Sequence, residues 1–419
     1  MSIAPCCSVA QDRSVITVAP KQSSPTAGIQ EAVDAVVGNG GIVELQPGEY
    51  ALRQSIRIRN NIEIRGLGEK TVLRKVKQLA SKLTTAVDAG SRSISVESTE
   101  GFGPGDEIGL FDRKTVGWLH THAVLKGVER KELLLDRRVG RAFDPQLGAC
   151  VINYFPAITG TGVSNVVLRS LTLDGRSYEN PGLTVVAVRD PRSPQDLGFT
   201  FAAIHLVDVV GSRIDSCHIK GWPADGISLQ RGSANLVTKC VVEDCRGEGY
   251  HPGGGLYDTE FSENLAEGNI GDGFFFCAGV KRVTVRNNRF IRNKGNGIGD
   301  LGHDGDKYNV VENNLCEANG LHGIALWDGE NNIVRNNTCL NNSQSVPGQY
   351  SGILLAKTEN SVVANNHCFD NQKIKTQKHG IEETANCQGN AIIDNNCRSN
   401  AIPGGSLAGR NRQERGNRN

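Results

Sequence analysis

Glycines that follow a polar residue and precede an apolar or aromatic one recur at Gly226, Gly249, Gly273, Gly297, Gly323, Gly352 and Gly380, at intervals of 23 to 29 residues. A period in this range constrains the chain to a solenoid, because one repeat is too small to bury a core and stacking closes it. Each interval carries two or three short β-rich segments, such as "GISLQ" with "ANLVTKCVVEDC", or "GIALWDG" with "NNIVRNNTCLNN". None has room for a helix of about twelve residues, so strands remain. The fold class predicted is all-β, a parallel β-helix of about ten or more rungs, regular over 151–403. One period before Gly226 lies Ala203.

Composition agrees. Glycine is 50 of 419 residues, about 12% against a usual ~7%. Asparagine pairs recur at 287–288, 313–314, 336–337, 365–366 and 395–396. Stacked in a turn, they can bond one another and the backbone from rung to rung. Cys217, Cys240, Cys316, Cys339 and Cys368 fall at near-equivalent repeat positions. They suit a column of small apolar thiols in the core, or disulfides between adjacent rungs. No zinc-type Cys-x-x-Cys spacing is present.

The rest of the chain departs from the period. Residues 1–22 read as an extension. Residues 23–37 place Ile29, Ala32, Val33 and Val36 on one helical stripe, with Ser24 or Thr26 as cap. This predicts a short N-terminal capping helix over the first rungs, which run to residue 76. Residues 77–150 read as a small β insertion, and the basic tail 404–419 as disordered. Net charge is +1, which gives no field for nucleic acid or an anionic membrane. No apolar run is long enough to span a bilayer, and the start shows no clear signal peptide. Oligomeric state is not readable.

Function in a solenoid is read down columns, since equivalent positions on successive rungs stack about 4.8 Å apart. The residue before each repeat glycine gives Asp225, Glu248, Asp272, Asn296, His322. Adjacent carboxylates at that distance repel by about 3–4 kcal/mol at an effective dielectric near 20, so the column should raise at least one pKa, attract a cation or pair with a base. The position two after the glycine gives His205, Ser228 and His251. Alternation points this column outward, so His251 is expected on an open face as a base poised near neutral pH, with Asp225 and Asp272 as acid or charge stabiliser. His251 sits in "GEGYHPGGG", where Gly253 to Gly255 look like a notch in a groove floor.

A third cluster, "GNGIGDLGHDGDKYN", offers Asp300 and His303 as further catalytic candidates and Asp304 as a substrate contact. Its Asp-x-Asp spacing also suits a calcium ion, without the full spacing of a calcium loop. Trp327 and Asp328, one rung later, suit a sugar platform. The loop 188–200 should stand beside His205 and Asp225, with Arg189 and Arg192 available to a carboxylated substrate.

The segments "GIQEAVDAVVGNGGIVELQPGEY", "RNNIEIRGLG", "DGISLQ", "NNIVRNNTC" and "NSVVANNHC" resemble those of the pectate-lyase-like superfamily of right-handed parallel β-helix proteins, over roughly 25–76 and 155–400. The resemblance implies a right-handed coil and a polysaccharide partner bound in a groove. It implies a lyase or C5-epimerase of uronate polymers, a polygalacturonase-type hydrolase, or a non-catalytic tailspike-like β-helix. Asp225-Gly226-Ile227 looks like the setting of a catalytic Asp in polygalacturonases. The metal-binding and arginine-base pattern of pectate lyases proper has no match. Such relatives imply a secreted or periplasmic location.

Overall fold

A computed structural model describes residues 13–36, 38, 40–115, 121–181, 195–302, 304–409 and 413–418. Parallel pairing in constant register stacks the repeats as their period predicts. One sheet has eleven strands, including Ile204–Val210, Ile227–Ser233, Tyr250–Gly253, Phe274–Phe275, Ile298–Leu301, Ile324–Trp327 and Ile353–Ala356. Ile204, Ile227, Tyr250, Phe274, Ile298, Ile324, Ile353 and Ile381 align across it and are buried. A second sheet of twenty-one strands supplies the other walls of the coil.

The turns explain the recurring residue types. Asn264, Asn288, Asn314, Asn337, Asn366 and Asn395 form one buried ladder. Each side-chain oxygen after the first accepts the backbone and side-chain N–H of the asparagine before it, at 2.9–3.0 Å. In the pairs at 287–288, 313–314, 336–337 and 365–366 the first residue takes the left-handed backbone of the turn. In the last repeat Asp394 takes that place, so the ladder residue is Asn395 rather than Asn396. The repeat glycines leave room for the rungs to close. A Cβ on Gly323 would lie 2.6 Å from the Gly352 carbonyl and 2.8 Å from Cys339. Cys316, Cys339 and Cys368 align in register as buried free thiols, and the ten described cysteines form no disulfide.

Three features differ from expectation. The helix is Ile29–Ala35, shorter than 23–37; Gly28 occupies the N-cap position, and Thr26 Oγ1 accepts the first-turn Gln30 N–H at 3.2 Å. Within the supposed extension, Ser14–Val18 pairs with Gly41–Leu45 and starts the long sheet. The tail is not wholly without structure. Ser406–Leu407 and Gln413–Arg415 add a strand to each sheet, since the last rung offers unpaired backbone groups. The inserted region forms a six-stranded antiparallel sheet from Ala80–Lys82 to Cys150–Ile152, around its own core of Leu83, Ile94, Ile108, Leu110 and Leu133. No described helix is long and apolar enough to cross a membrane.

Candidate active site

The three outward columns lie side by side along the strands. Asp225, Glu248 and Asp272 sit in the turns. Ser228, His251 and Phe275 open the strands, and Gln230, Gly253 and Cys277 stand two residues further on. The acids do not project into a groove. Each side chain reaches to the next rung, and all three are buried. Asp225 Oδ1 accepts the Glu248 N–H at 2.9 Å, Glu248 Oε2 accepts the Asp272 N–H, and Asp272 Oδ1 accepts the Asn296 N–H at 2.5 Å. Asn296 and His322 continue the line at 3.0 Å each. Glycines clear the space: a Cβ on Gly247 would lie 1.9 Å from Asp225 Oδ1, and one on Gly295 2.1 Å from Asp272 Oδ1.

Burial, more than mutual repulsion, sets the acidity of this column. It raises Glu248 well above the carboxylate range, with the charges of Asp272 and Asp225 adding to it. Burial also pushes Asp272 up to about 7, against the hydrogen bonds from Asn296 that favour its charge. His322 is buried against Tyr350 and held down to about 4, so the neutral ring accepts the Ser351 N–H.

His251 is 2% exposed, which corrects the expectation of an open-face base. Its Nδ1 lies 2.7 Å from Asp225 Oδ2, and the Phe199 and Phe275 rings flank it at 5.5 and 4.9 Å. Burial works against a charged ring here. The hydrogen bond and charge of Asp225, with Cys277 alongside, outweigh it and raise the pKa to about 10. The ring is therefore an imidazolium at neutral pH, not a free base. Its other nitrogen, Nε2, is buried without a well-formed hydrogen bond.

The cover comes from the 3-10 segment Gln195–Phe201. A Cβ on Gly198 would lie 2.1 Å from Asp225 Oδ1. Phe201 anchors the segment between Tyr154 and Phe111 at 4.5 and 5.4 Å, and its carbonyl accepts the Trp222 indole N–H at 2.8 Å.

Comparison with family descriptions matches the right handed beta helix region at residues 198–307 and 301–416, more than half of the chain. The chain belongs to the right-handed β-helix family. Among solved structures this β-helix resembles the A-module of mannuronan C-5 epimerase AlgE6 of Azotobacter vinelandii, at 15% identity and a TM-score of 0.57, over 93% of each chain. It also resembles the AlgE4 A-module of the same organism, at 15% identity and 0.51, over 93% of this chain and 92% of that one. The enzymatically active domain of bacteriophage CBA120 tailspike protein 2 matches at 12% identity and 0.55, over 96% of this chain and 52% of that one. At these identities the likeness is one of fold. Comparison with curated proteins gives no match.

The remaining candidates scatter over this β-helix. His205 pairs with Ser228, which pairs with His251, so the two histidines share a face two rungs apart, but His205 is also buried. Asp300 sits in an irregularity of its strand with φ 56°, where its charge raises Asp272. Asp304 is exposed in the next turn. Trp327 is 44% exposed with Lys357 Nζ 5.9 Å from its ring centre, and Asp328 is exposed beside it. Arg189, Arg192 and His303 lie outside the described residues. Asp306 turns inward and accepts the Val280 N–H at 2.5 Å, so it is no outward calcium ligand. Among the described residues no group of three or more His, Cys, Asp or Glu is arranged to hold a metal ion. A cleft of about 610 Å³ at the first rungs, lined by Arg57, Arg59 and Asn61 among others, includes none of the predicted site residues.

Phe199 and Cys277 escaped the sequence reading, which placed Phe275 only as a member of the His251 column. The first glycine of each Gly-x-Gly in "GEGY", "GDGF" and "GNGI" was the available signal for the turn, since it marks where an acid of the preceding rung presses against the next. Periodicity carries no comparable signal for the aromatic cover.

Proposed function

We propose that this β-helix is a polysaccharide-active enzyme, a lyase or C5-epimerase of uronate polymers. Its proton chemistry is organised around the buried Asp225–His251 pair. One observation carries the reading: a buried, carboxylate-held imidazole whose second nitrogen has no well-formed hydrogen bond, on a face with an exposed Trp327. A structural histidine in a dry site would be expected to have both nitrogens satisfied. Both candidate reactions start by removing the proton α to the uronate carboxyl, which needs a base and a neighbouring acid. The names of the epimerase neighbours fit that chemistry. A polygalacturonase-type carboxylate pair is disfavoured, because Asp225 and Asp272 direct oxygens at backbone N–H groups rather than at a shared water.

The test is a panel of uronate and neutral polysaccharides. It would be read by ultraviolet absorbance for unsaturated ends, by reducing ends, and by proton NMR for the epimer ratio. Turnover of a uronate polymer that falls at least about a hundredfold in His251→Ala is expected. Binding without turnover would instead support a non-catalytic, tailspike-like glycan binder. Turnover unchanged in His251→Ala would remove the pair from the chemistry.

A further inference from the structure

His251 cannot meet a polymer itself, because its ring lies beneath Phe199 and Phe275 and its Nε2 is shielded. What stands on the Nε2 side is decided by register. Along the strand, Asp225 precedes the level of His251 and Cys277 follows it by two residues, and both side chains interact with the imidazole. The Cys277 N–H donates to the Pro252 carbonyl at 3.0 Å, which ties the cysteine beside the strand Tyr250–Gly253. Gly253 permits the approach, since a Cβ there would lie 3.1 Å from Cys277 Cβ and 2.6 Å from Gln230 Oε1. Of the ten described cysteines, nine are buried and Cys277 alone is partly exposed.

From this juxtaposition we infer that Cys277 is the catalytic residue that touches the substrate, with His251 and Asp225 as positioning residues behind it. The inference rests on the uronate reading for its substrate and on geometry for its thiol. An imidazolium held by a carboxylate stabilises a thiolate on its far side, in the manner of activated cysteines elsewhere. In that form the sulfur takes the uronate C5 proton: an S–H bond forms, and the C–H electron pair passes to the carbanion stabilised by the substrate's carboxyl. Elimination then breaks the C4–O bond, the pair leaves on oxygen, and that oxygen takes a proton from water. In epimerisation water returns a proton to C5 from the opposite face. In either case the thiol releases its proton to solvent, and nothing is oxidised or reduced.

The test uses the full chain and two readouts. The first is alkylation by iodoacetamide from pH 5 to 9, mapped by peptide mass spectrometry. Cys277 should react about tenfold faster at neutral pH than an unstructured cysteine peptide. His251→Gln and Asp225→Asn should lower that rate and move its pH profile, with circular dichroism confirming that both variants fold. The second readout is turnover of the polymer found by the screen, where Cys277→Ser and Cys277→Ala should each lose at least about a hundredfold. Reaction at the peptide's rate, unmoved in His251→Gln, overturns the inference. So does full turnover in Cys277→Ser, which would leave the uronate reading standing. A fast, His251-dependent thiol in a protein that turns over no uronate polymer supports the thiol site and sinks the uronate reading instead.

Discussion

Asp272 and His251 illustrate how burial converts ordinary residues into proton-holding ones. Both sit in the folded protein with pKa values above their usual ones, Asp272 at about 7 against 3.8 and His251 at about 10 against 6.5. The fold therefore binds protons that the unfolded chain has released. Stability linked to Asp272 is full below about pH 4 and declines as pH rises through 7. The share linked to His251 is full below about 6.5 and declines through 10. Glu248, raised in the same direction by burial, adds to the trend. The melting temperature of Asp272→Asn should accordingly fall less than that of the parent between about pH 4 and 7.5, because the amide keeps an oxygen for the Asn296 N–H and has no proton to lose. Equal slopes for the two proteins across that window would refute the assignment.

The asparagine ladder is the element that couples one rung to the next. Asn337 Nδ2 donates to the Val311 carbonyl at 2.9 Å and to Asn366 Oδ1 at 3.0 Å, while its oxygen accepts two N–H groups of Asn314. Asn337→Ala takes the side-chain partner from the buried Val311 carbonyl and from the Asn314 N–H groups, a cost of about 2–4 kcal/mol. Chemical denaturation should show a midpoint shift of that size. A shift below about 0.5 kcal/mol, the usual range for surface changes, would mean that water replaces the ladder. The same substitution at Asn313, whose role is the left-handed turn backbone at φ 56°, should act through backbone strain instead.

On the scale of the molecule, the insertion and the coil meet around Phe201. Phe111 from the inserted sheet, Tyr154 and His122 contact its ring at 5.4, 4.5 and 5.6 Å, and the neighbouring Phe199 lies over His251. The inserted region is thus joined to the cover of the candidate site. Phe201→Ala should cost about 3–5 kcal/mol. Because contacts in a solenoid run mainly between neighbours, faster hydrogen exchange should be confined to about 198–210, leaving the strand Ile353–Ala356 unaffected. Exchange accelerated evenly along the coil would show that Phe201 supports the whole stack rather than the cover.

The amino-acid order alone specified the coil, its register and its ladders. Those follow from local period, and each repeat meets the same neighbours, so Gly323, Asn337 and Ile324 carry the same meaning wherever they recur. It also identified His251, Asp225, Glu248 and Asp272 as neighbours, because register converts spacing into distance. Their exposure was beyond its reach. Alternation says which way a side chain leaves the strand, whereas Phe199 and Phe201 arrive from a segment outside the period and close over the site. The notch at Gly253 shows the same division. The missing side chain is plain in "GYHPGGG", but its use as room for Cys277 depends on a contact between rungs that only the folded chain makes.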